Sequence, residues 1–313
     1  MRSDFTIIIP AYNETPVVPD LVRELKATFL KHGLGGEVLF VDDGSTDGTA
    51  EIAEEESASS DRFRVVRHKT NRGKTQAMLT AADLASEPLI ILFDADLQYS
   101  PEEIPRFLEH LDEGWDVVTG RKLGPYAKKT VSTVYNQLSR RIFGVPVSDL
   151  NSMKAFRAEV LEGLYLRHDW HRFFVVLAHA RGASVSEIDI DLYPRRAGDP
   201  KYGGQGRIIV GLLDLVSVWF LLLFSRKPLL LFGGSGLVLA FLGLLLAMLT
   251  VHLRFLHPML GFDPYIPPMG YRPLLYLIML LETLGFLLFG FGLVSEQVAQ
   301  IRDELEAARK KDF

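Results

Sequence analysis

The residues best placed to do chemistry follow an apolar run, Leu89-Ile90-Ile91-Leu92-Phe93, which ends abruptly in Asp94-Ala95-Asp96-Leu97-Gln98. Such a run reads as a buried strand. In a parallel α/β sheet, ligands bind beyond the carboxyl ends of the strands, where these polar groups would fall. Asp94, Asp96 and Gln98 alternate, so an extended chain would turn all three side chains to one side. Two carboxylates and an amide are hard oxygen ligands, suited to Mg²⁺ or Mn²⁺ shared between protein and substrate phosphates. An acidic cap on a core strand has the same local pattern, so the surrounding elements must decide.

Those elements alternate. Phe5 to Ile9 predicts a buried strand stopped by Pro10, with Ala11-Tyr12-Asn13-Glu14 as the loop after it. Val18, Leu21, Val22, Leu25 and Phe29 make an apolar stripe of helical period that ends near Gly33. Val38 to Val41 predicts a second strand, which runs into Asp42-Asp43-Gly44-Ser45-Thr46-Asp47-Gly48-Thr49. Thr46 or Asp47 can cap the acidic helix that follows. Arg64-Val65-Val66 predicts a short third strand, and Asn71-Arg72-Gly73-Lys74 opens a helix reaching about Ala85. Glu102 to Leu111 predicts another helix, and Asp116 to Thr119 a strand ending at Gly120-Arg121-Lys122. This alternation implies an α/β fold with a mostly parallel sheet and helices on both faces. Neither G-x-G-x-x-G nor G-x-x-x-x-G-K-[ST] occurs, so no dinucleotide fingerprint or P-loop is indicated.

The chain has 313 residues, long enough for one large α/β domain and more. A net charge of −5 gives no global basic field to attract nucleic acid. With no cysteine, disulfides and thiolate metal sites are excluded. The apolar stretch after Met1-Arg2-Ser3-Asp4 is too short for a signal peptide, so the first half is expected to stay in the cytoplasm.

The last third is different. Pro228 to about Val251 carries no charge, and Pro273 to Val294 is interrupted only by Glu282; each is long enough to span a bilayer. The loop between them, about residues 254–272, is rich in aromatics and proline, including Tyr265-Ile266-Pro267-Pro268 and Tyr271, as expected near headgroups. Two spans return the tail to the side of the first domain, and Arg226-Lys227 and Arg309-Lys310-Lys311 at the outer ends of the pair agree with a cytoplasmic location for both termini. Arg254 and Arg272 in the loop weaken that count without reversing it. Ile208 to Phe224 is apolar but short and carries Asp214, so it reads as a helix lying in the interface, with a third span as the alternative. Glu282 is read as a helix–helix hydrogen-bonding group. The expected divisions are 1–205 catalytic, 206–227 juxtamembrane, 228–296 two spans and 297–313 a tail helix. Gly233, Gly234, Gly236 and Gly243 on the first span permit close helix packing and leave a homo-oligomer possible.

Four motifs in order carry a resemblance. Ile9-Pro10-Ala11-Tyr12-Asn13-Glu14, Val41 to Thr49, Asn71-Arg72-Gly73-Lys74 and Asp94-Ala95-Asp96-Leu97-Gln98 together resemble the family 2 glycosyltransferases of GT-A fold, over residues 5 to about 205. The apolar tail makes the chain similar to the polyprenyl-phosphate glycosyltransferases among them. The resemblance implies a nucleotide-sugar donor contacted by Pro10, Ala11, Tyr12, Asn13, Glu14, Phe40, Asp42, Asp43, Gly44, Ser45, Lys74, Asp94 and Ala95. It implies a divalent ion, Mg²⁺ or Mn²⁺, on Asp94, Asp96 and Gln98. It makes Asp96 and Arg121 catalytic, with the acceptor phosphate held by Arg121, Lys122, Arg195 and Lys201. Asp149 to Arg157 resembles the acceptor-side segment, and Arg195 to Tyr202 resembles an R-x-x-G-x-S-K-Y loop. Pro200 replaces the usual serine there, and Met153 stands where glycine is common.

The chemistry of the residues agrees. Moving a sugar from a nucleotide diphosphate requires charge neutralisation on the leaving group, which a carboxylate-held divalent ion supplies. A lipid phosphate arrives already anionic and needs cations rather than a strong base, and direct attack opposite the leaving group inverts the anomeric carbon. Lys128 and Lys129 read as a solvated helix face, and His168, His171 and His179 as surface or core histidines. Transfer to a lipid hydroxyl is an alternative that would want a base, with Asp149 the nominee. An inactive scaffold that binds a nucleotide sugar is another. A processive polysaccharide synthase is disfavoured, because Q-x-x-R-W is absent and two spans are too few for a polymer channel.

Overall fold

A computed structural model describes residues 1–123, 137, 139–196, 206–262 and 270–309. It divides into two compact units, Met1–Leu212 and Leu213–Phe313.

The first unit is built on a seven-stranded sheet in the order β3-β2-β1-β4-β6-β5-β7. The strands are β1 (Phe5–Ala11), β2 (Glu37–Asp42), β3 (Phe63–Arg67), β4 (Leu89–Leu92), β5 (Val117–Leu123), β6 (Lys154–Arg157) and β7 (Val185–Asp191). β1 pairs in parallel with β2 and β4, and β2 with β3, so their carboxyl ends share one edge of the sheet. β6 runs antiparallel between β4 and β5. The expected mostly parallel sheet is therefore present, with one short reversed strand inserted. The helices α1 (Val18–His32), α2 (Thr49–Ser57), α3 (Lys74–Leu84), α4 (Ile104–Asp112) and α5 (Phe174–Ala180) alternate with the strands.

Local chemistry sets the element ends. α1 starts with proline in its first turn and stops at Gly33 in the left-handed region (φ 62°), where glycine has no Cβ penalty. Asp47 Oδ1 accepts the Thr49 N–H at 3.1 Å and so satisfies one free donor at the start of α2. Phe5, Ile7, Ile9, Leu21, Phe93 and Phe107 are all sealed in one core beneath the sheet.

The second unit contains the apolar helices. α6 (Gly206–Arg226) begins in the first unit and enters the second. A helical stretch Leu229–Met259 contains α7 (Gly234–Val251) flanked by π-helical turns. α8 (Arg272–Arg309) is one continuous helix that includes the expected second span and much of the tail. Leu229–Met259 and Arg272–Arg302 are each long and apolar enough to cross a membrane. α7 and α8 meet through glycine: a Cβ on Gly236 would lie 2.6 Å from the Gly285 carbonyl oxygen, and one on Gly285 would lie 2.8 Å from the Ala240 nitrogen. Gly233 and Gly243 face α8 as well, at Phe289 and Glu282, whereas Gly234 faces open space. Most of the small-residue face is thus consumed within the chain. Tyr265 to Pro268, Lys310 and Lys311 lie outside the described residues.

Candidate active site

Loops at one edge of the first unit's sheet build a cleft of about 230 Å³. After β1 the chain turns through Asn13 in the left-handed region (φ 52°), which asparagine tolerates better than most residues. The Asn13 N–H donates to Ser45 Oγ, and its side-chain oxygen accepts the Thr46 N–H, both at 2.8 Å. Asn13 and Ser45 thereby stitch the first loop to the second, while Pro10, Ala11, Tyr12 and Glu14 line the cleft.

Asp43 anchors the third loop. Its carboxylate accepts the Arg72 N–H at 2.9 Å and the Gly73 N–H at 2.7 Å. It also meets His68 Nδ1 at 2.7 Å, and His68 Nε2 lies 3.0 Å from Thr80 Oγ1 on α3. This buried chain fixes the start of α3, where Lys74 reaches across to the Asp94 carboxylate in a hydrogen-bonded ion pair. Gly44 (φ 73°) packs where a Cβ would strike the backbone of Thr70 and Asn71.

The loop after β4 differs from the expected extended strand. β4 ends at Leu92, Leu97 is left-handed (φ 52°), and Asp96 Oδ1 accepts the Gln98 N–H at 3.2 Å. A tight turn, not strand alternation, brings Asp94, Asp96 and Gln98 to the cleft. After β7, the Tyr193 N–H donates to the Gln98 carbonyl at 2.9 Å. Arg195 then enters the cleft, with Nη2 2.7 Å from Asp96 Oδ2 and Nη1 3.5 Å from Glu14 Oε1.

The electrostatics are those of closely set charges. Burial, then the charge of Asp94, pushes the Asp96 carboxyl up to about 6 despite Arg195. Burial works to raise Asp94 too, but the Lys74 ammonium, by charge and hydrogen bond, holds it below its usual value. Lys154 on β6 is 1% exposed, and its Nζ donates to the Ser152 carbonyl at 2.7 Å. Burial, then Lys74, pushes that ammonium down to about 7. Among the described residues no three His, Cys, Asp or Glu side chains gather to hold an ion alone. Asp94, Asp96 and Gln98 nevertheless fit Mg²⁺ or Mn²⁺, which commonly take one or two carboxylates and complete their shell with water and phosphate oxygens. The Asp96 carboxyl, raised by burial and then by the charge of Asp94, is where an added cation would favour the ionised form.

Other nominated residues lie elsewhere. Phe40 is sealed in the core and stacks on Phe63 at 6.3 Å between centroids, so it supports the sheet and does not line the cleft. Asp42 is buried behind the cleft lining; Oδ2 accepts the Ser45 N–H at 3.2 Å, and Oδ1 has no partner among the described residues. Arg121 is half exposed and bound bidentately to Asp189, at 2.5 and 2.7 Å, outside the cleft lining. Lys122 Nζ donates to the Asn151 carbonyl at 2.5 Å and lies 3.3 Å from Asp149. Asp149 is itself buried and accepts the Asn151 N–H at 3.0 Å, so it acts as a loop anchor. Lys128, Lys129, Pro200 and Lys201 lie outside the described residues. His171 and Asn151 line the cleft, although the histidine is a surface or core residue by sequence reading.

Carboxylates and cations thus line one recess at the ends of parallel strands on a GT-A-like sheet. Residues 6–175 match the family described as "Glycosyl transferase family 2". Undecaprenyl-phosphate 4-deoxy-4-formamido-L-arabinose transferase of Klebsiella pneumoniae subsp. pneumoniae is 32% identical over 308 residues, covering 96% of this chain and 90% of that protein. The enzyme of the same name from Salmonella paratyphi A is 31% identical over 307 residues, covering 96% and 90%. Among solved structures, glucosyl-3-phosphoglycerate synthase of Mycobacterium tuberculosis with Mg²⁺ and UDP aligns at TM-score 0.56 and 19% identity. That alignment covers 69% of this chain and 80% of that one, a likeness of fold. The same enzyme with Mn²⁺, UDP and phosphoglyceric acid aligns at TM-score 0.55, 19% identity and 68% and 78% coverage. The chain belongs to glycosyl transferase family 2.

Proposed function

We propose that this protein transfers a sugar, with inversion, from a nucleotide diphosphate sugar to a polyprenyl phosphate at the cytoplasmic face of a membrane. The observation that carries it is the convergence of Asp94, Asp96 and Gln98 in the cleft beside the Pro10–Glu14 loop. Full-length similarity to transferases named for undecaprenyl phosphate supports the acceptor class.

In this reading the Pro10–Glu14 loop and the Asp43-anchored loop receive the nucleotide, with Asp42 buried behind them. Asp94, Asp96 and Gln98 would hold the divalent ion, which neutralises the leaving diphosphate. Lys74 adds a cation from the start of α3. The acceptor's phosphate oxygen bonds to the anomeric carbon as the carbon–oxygen bond to the diphosphate breaks. No proton has to be removed from that nucleophile, so the cleft needs no general base. Arg195 supplies positive charge within the cleft, and Arg121 and Lys122 supply it on β5. Arg121 serves the acceptor by exchanging Asp189 for lipid phosphate.

The two apolar helices anchor the enzyme, with the residue 1–205 unit, the 206–227 helix lying in the interface, and the 297–313 tail all cytoplasmic. A homo-oligomer is compatible with this arrangement. The test is a transfer assay on purified protein in detergent with undecaprenyl phosphate, a divalent ion and a panel of labelled UDP- and GDP-sugars. A metal-dependent, mild-acid-labile lipid product from one donor is expected. Product formed only on a lipid hydroxyl would replace the acceptor class.

A further inference from the structure

His171 lies in the 3₁₀ turn Trp170–Phe173 that leads into α5 and lines the cleft. Its Nδ1 is 3.1 Å from Thr75 Oγ1, and its backbone N–H donates to that same oxygen at 3.2 Å. Thr75 is buried on α3, next to Lys74. The hydroxyl oxygen is already an acceptor, so its hydrogen is available to donate. Nδ1 is the acceptor it reaches among the described residues. Burial, then the cations Lys74, Lys154 and Arg172, hold the imidazole well below its usual range, so the ring is neutral. In a neutral ring whose Nδ1 accepts, the proton sits on Nε2.

Nε2 has no hydrogen-bond partner among the described residues, and it is not one of their orphaned buried polar atoms. With Nδ1 turned to α3, the nitrogen left for the cleft is therefore a fixed N–H donor. The other polar groups of the cleft include Lys74, Asp94, Asp96 and Arg195, whose charges suit a diphosphate and its ion. A neutral donor is better matched to an uncharged, oxygen-rich group. Asn151, also uncharged, lines the same cleft, with its backbone tied down at both N–H and C=O.

We infer that His171 is a specificity-determining residue that donates its Nε2–H to a hydroxyl or substituent oxygen of the transferred sugar. This rests on the nucleotide-sugar reading of the cleft. A site built to hydrogen-bond one substrate oxygen discriminates against donors that lack it, because its own polar group is then left unpaired.

The test is calorimetric binding to the full-length protein in detergent, comparing UDP or GDP alone with a panel of the corresponding nucleotide sugars. His171→Ala is expected to bind the bare nucleotide within about twofold of wild type and the preferred nucleotide sugar about tenfold more weakly, the scale of one lost hydrogen bond. Its preference among sugars should flatten. His171→Gln, which keeps an N–H donor, should recover most of that preference. Thr75→Val, which frees the ring to change tautomer, should lose part of it. An equal loss for bare nucleotide and nucleotide sugar would overturn the inference in favour of a diphosphate contact or a structural role. An unchanged ranking of sugars in His171→Ala would overturn it as well. Turnover is not needed for this comparison. A wild type that ranks nucleotide sugars yet transfers to no polyprenyl phosphate would refute the acceptor reading and leave the role of His171 standing; one that binds no nucleotide sugar would remove both.

Discussion

Asp94 and Asp96 sit two residues apart but face different cations, Lys74 and Arg195. That division gives each carboxylate its own counter-charge, although the charge of Asp94 still helps to raise Asp96. Beneath them, Lys154 is a buried ammonium whose charge costs stability. In the unfolded chain it keeps its proton up to the ordinary lysine value of 10.5, and in the folded chain it releases it at about 7. Between those values unfolding takes up a proton, so stability rises with pH across that window and the penalty is complete below it. Lys154→Met should therefore raise the melting temperature most at about pH 6, by roughly 2–4 °C, and progressively less toward about pH 9. An effect independent of pH, measured by thermal unfolding in detergent, would mean that Lys154 is neutral throughout. At this scale the sequence was partly legible. Asp94 and Asp96 stood out because an apolar strand ended in them. His171 did not, because its partner Thr75 is 96 residues away and nothing local marks the pair. His68 was hidden likewise, since the Asp43 it holds is 25 residues distant.

Among elements, those with a strong period or an apolar run were the readable ones. α1 carries a clear helical stripe and a glycine stop, and β1, β2 and β4 are apolar runs closed by turn residues. β6 is four residues with a buried lysine, and β7 mixes acids with apolar residues, so neither has a one-dimensional signature. The antiparallel insertion of β6 exists only through its pairing with β4 and β5. The turn at Leu97 was likewise invisible, because leucine seldom adopts a left-handed backbone. In the apolar unit the α7–α8 seam is set by Gly236 and Gly285, which let the two backbones approach. Gly236→Leu should force them apart at a cost of about 1–3 kcal/mol, the usual range for overpacking. Thermal unfolding in detergent should show the loss, and Gly234→Leu, at open space, should be nearly silent. Equal effects at both positions would contradict the seam.

For the whole molecule, the claim is an enzyme whose soluble chemistry is tethered to the membrane that supplies its acceptor. The native chain contains no cysteine, so single engineered cysteines report topology without background. Ser59→Cys in the first unit and Gln300→Cys near the end of α8 should react with an impermeant maleimide from the same side of a sealed vesicle. Phe262→Cys, between the two long apolar helices, should react from the other side. Labelling of Ser59 and Gln300 from opposite sides would require an odd number of crossings and make α6 a span.

The most direct test of the central claim is transfer by Asp96→Asn beside wild type, with undecaprenyl phosphate, the preferred nucleotide sugar and a divalent ion, with and without chelator. Asn keeps the size and loses the charge. The account predicts a fall in turnover on the order of 10²–10³-fold, similar to chelation of wild type, with membrane insertion unchanged. Full activity in Asp96→Asn would contradict it and remove the Asp94–Asp96 pair from the chemistry.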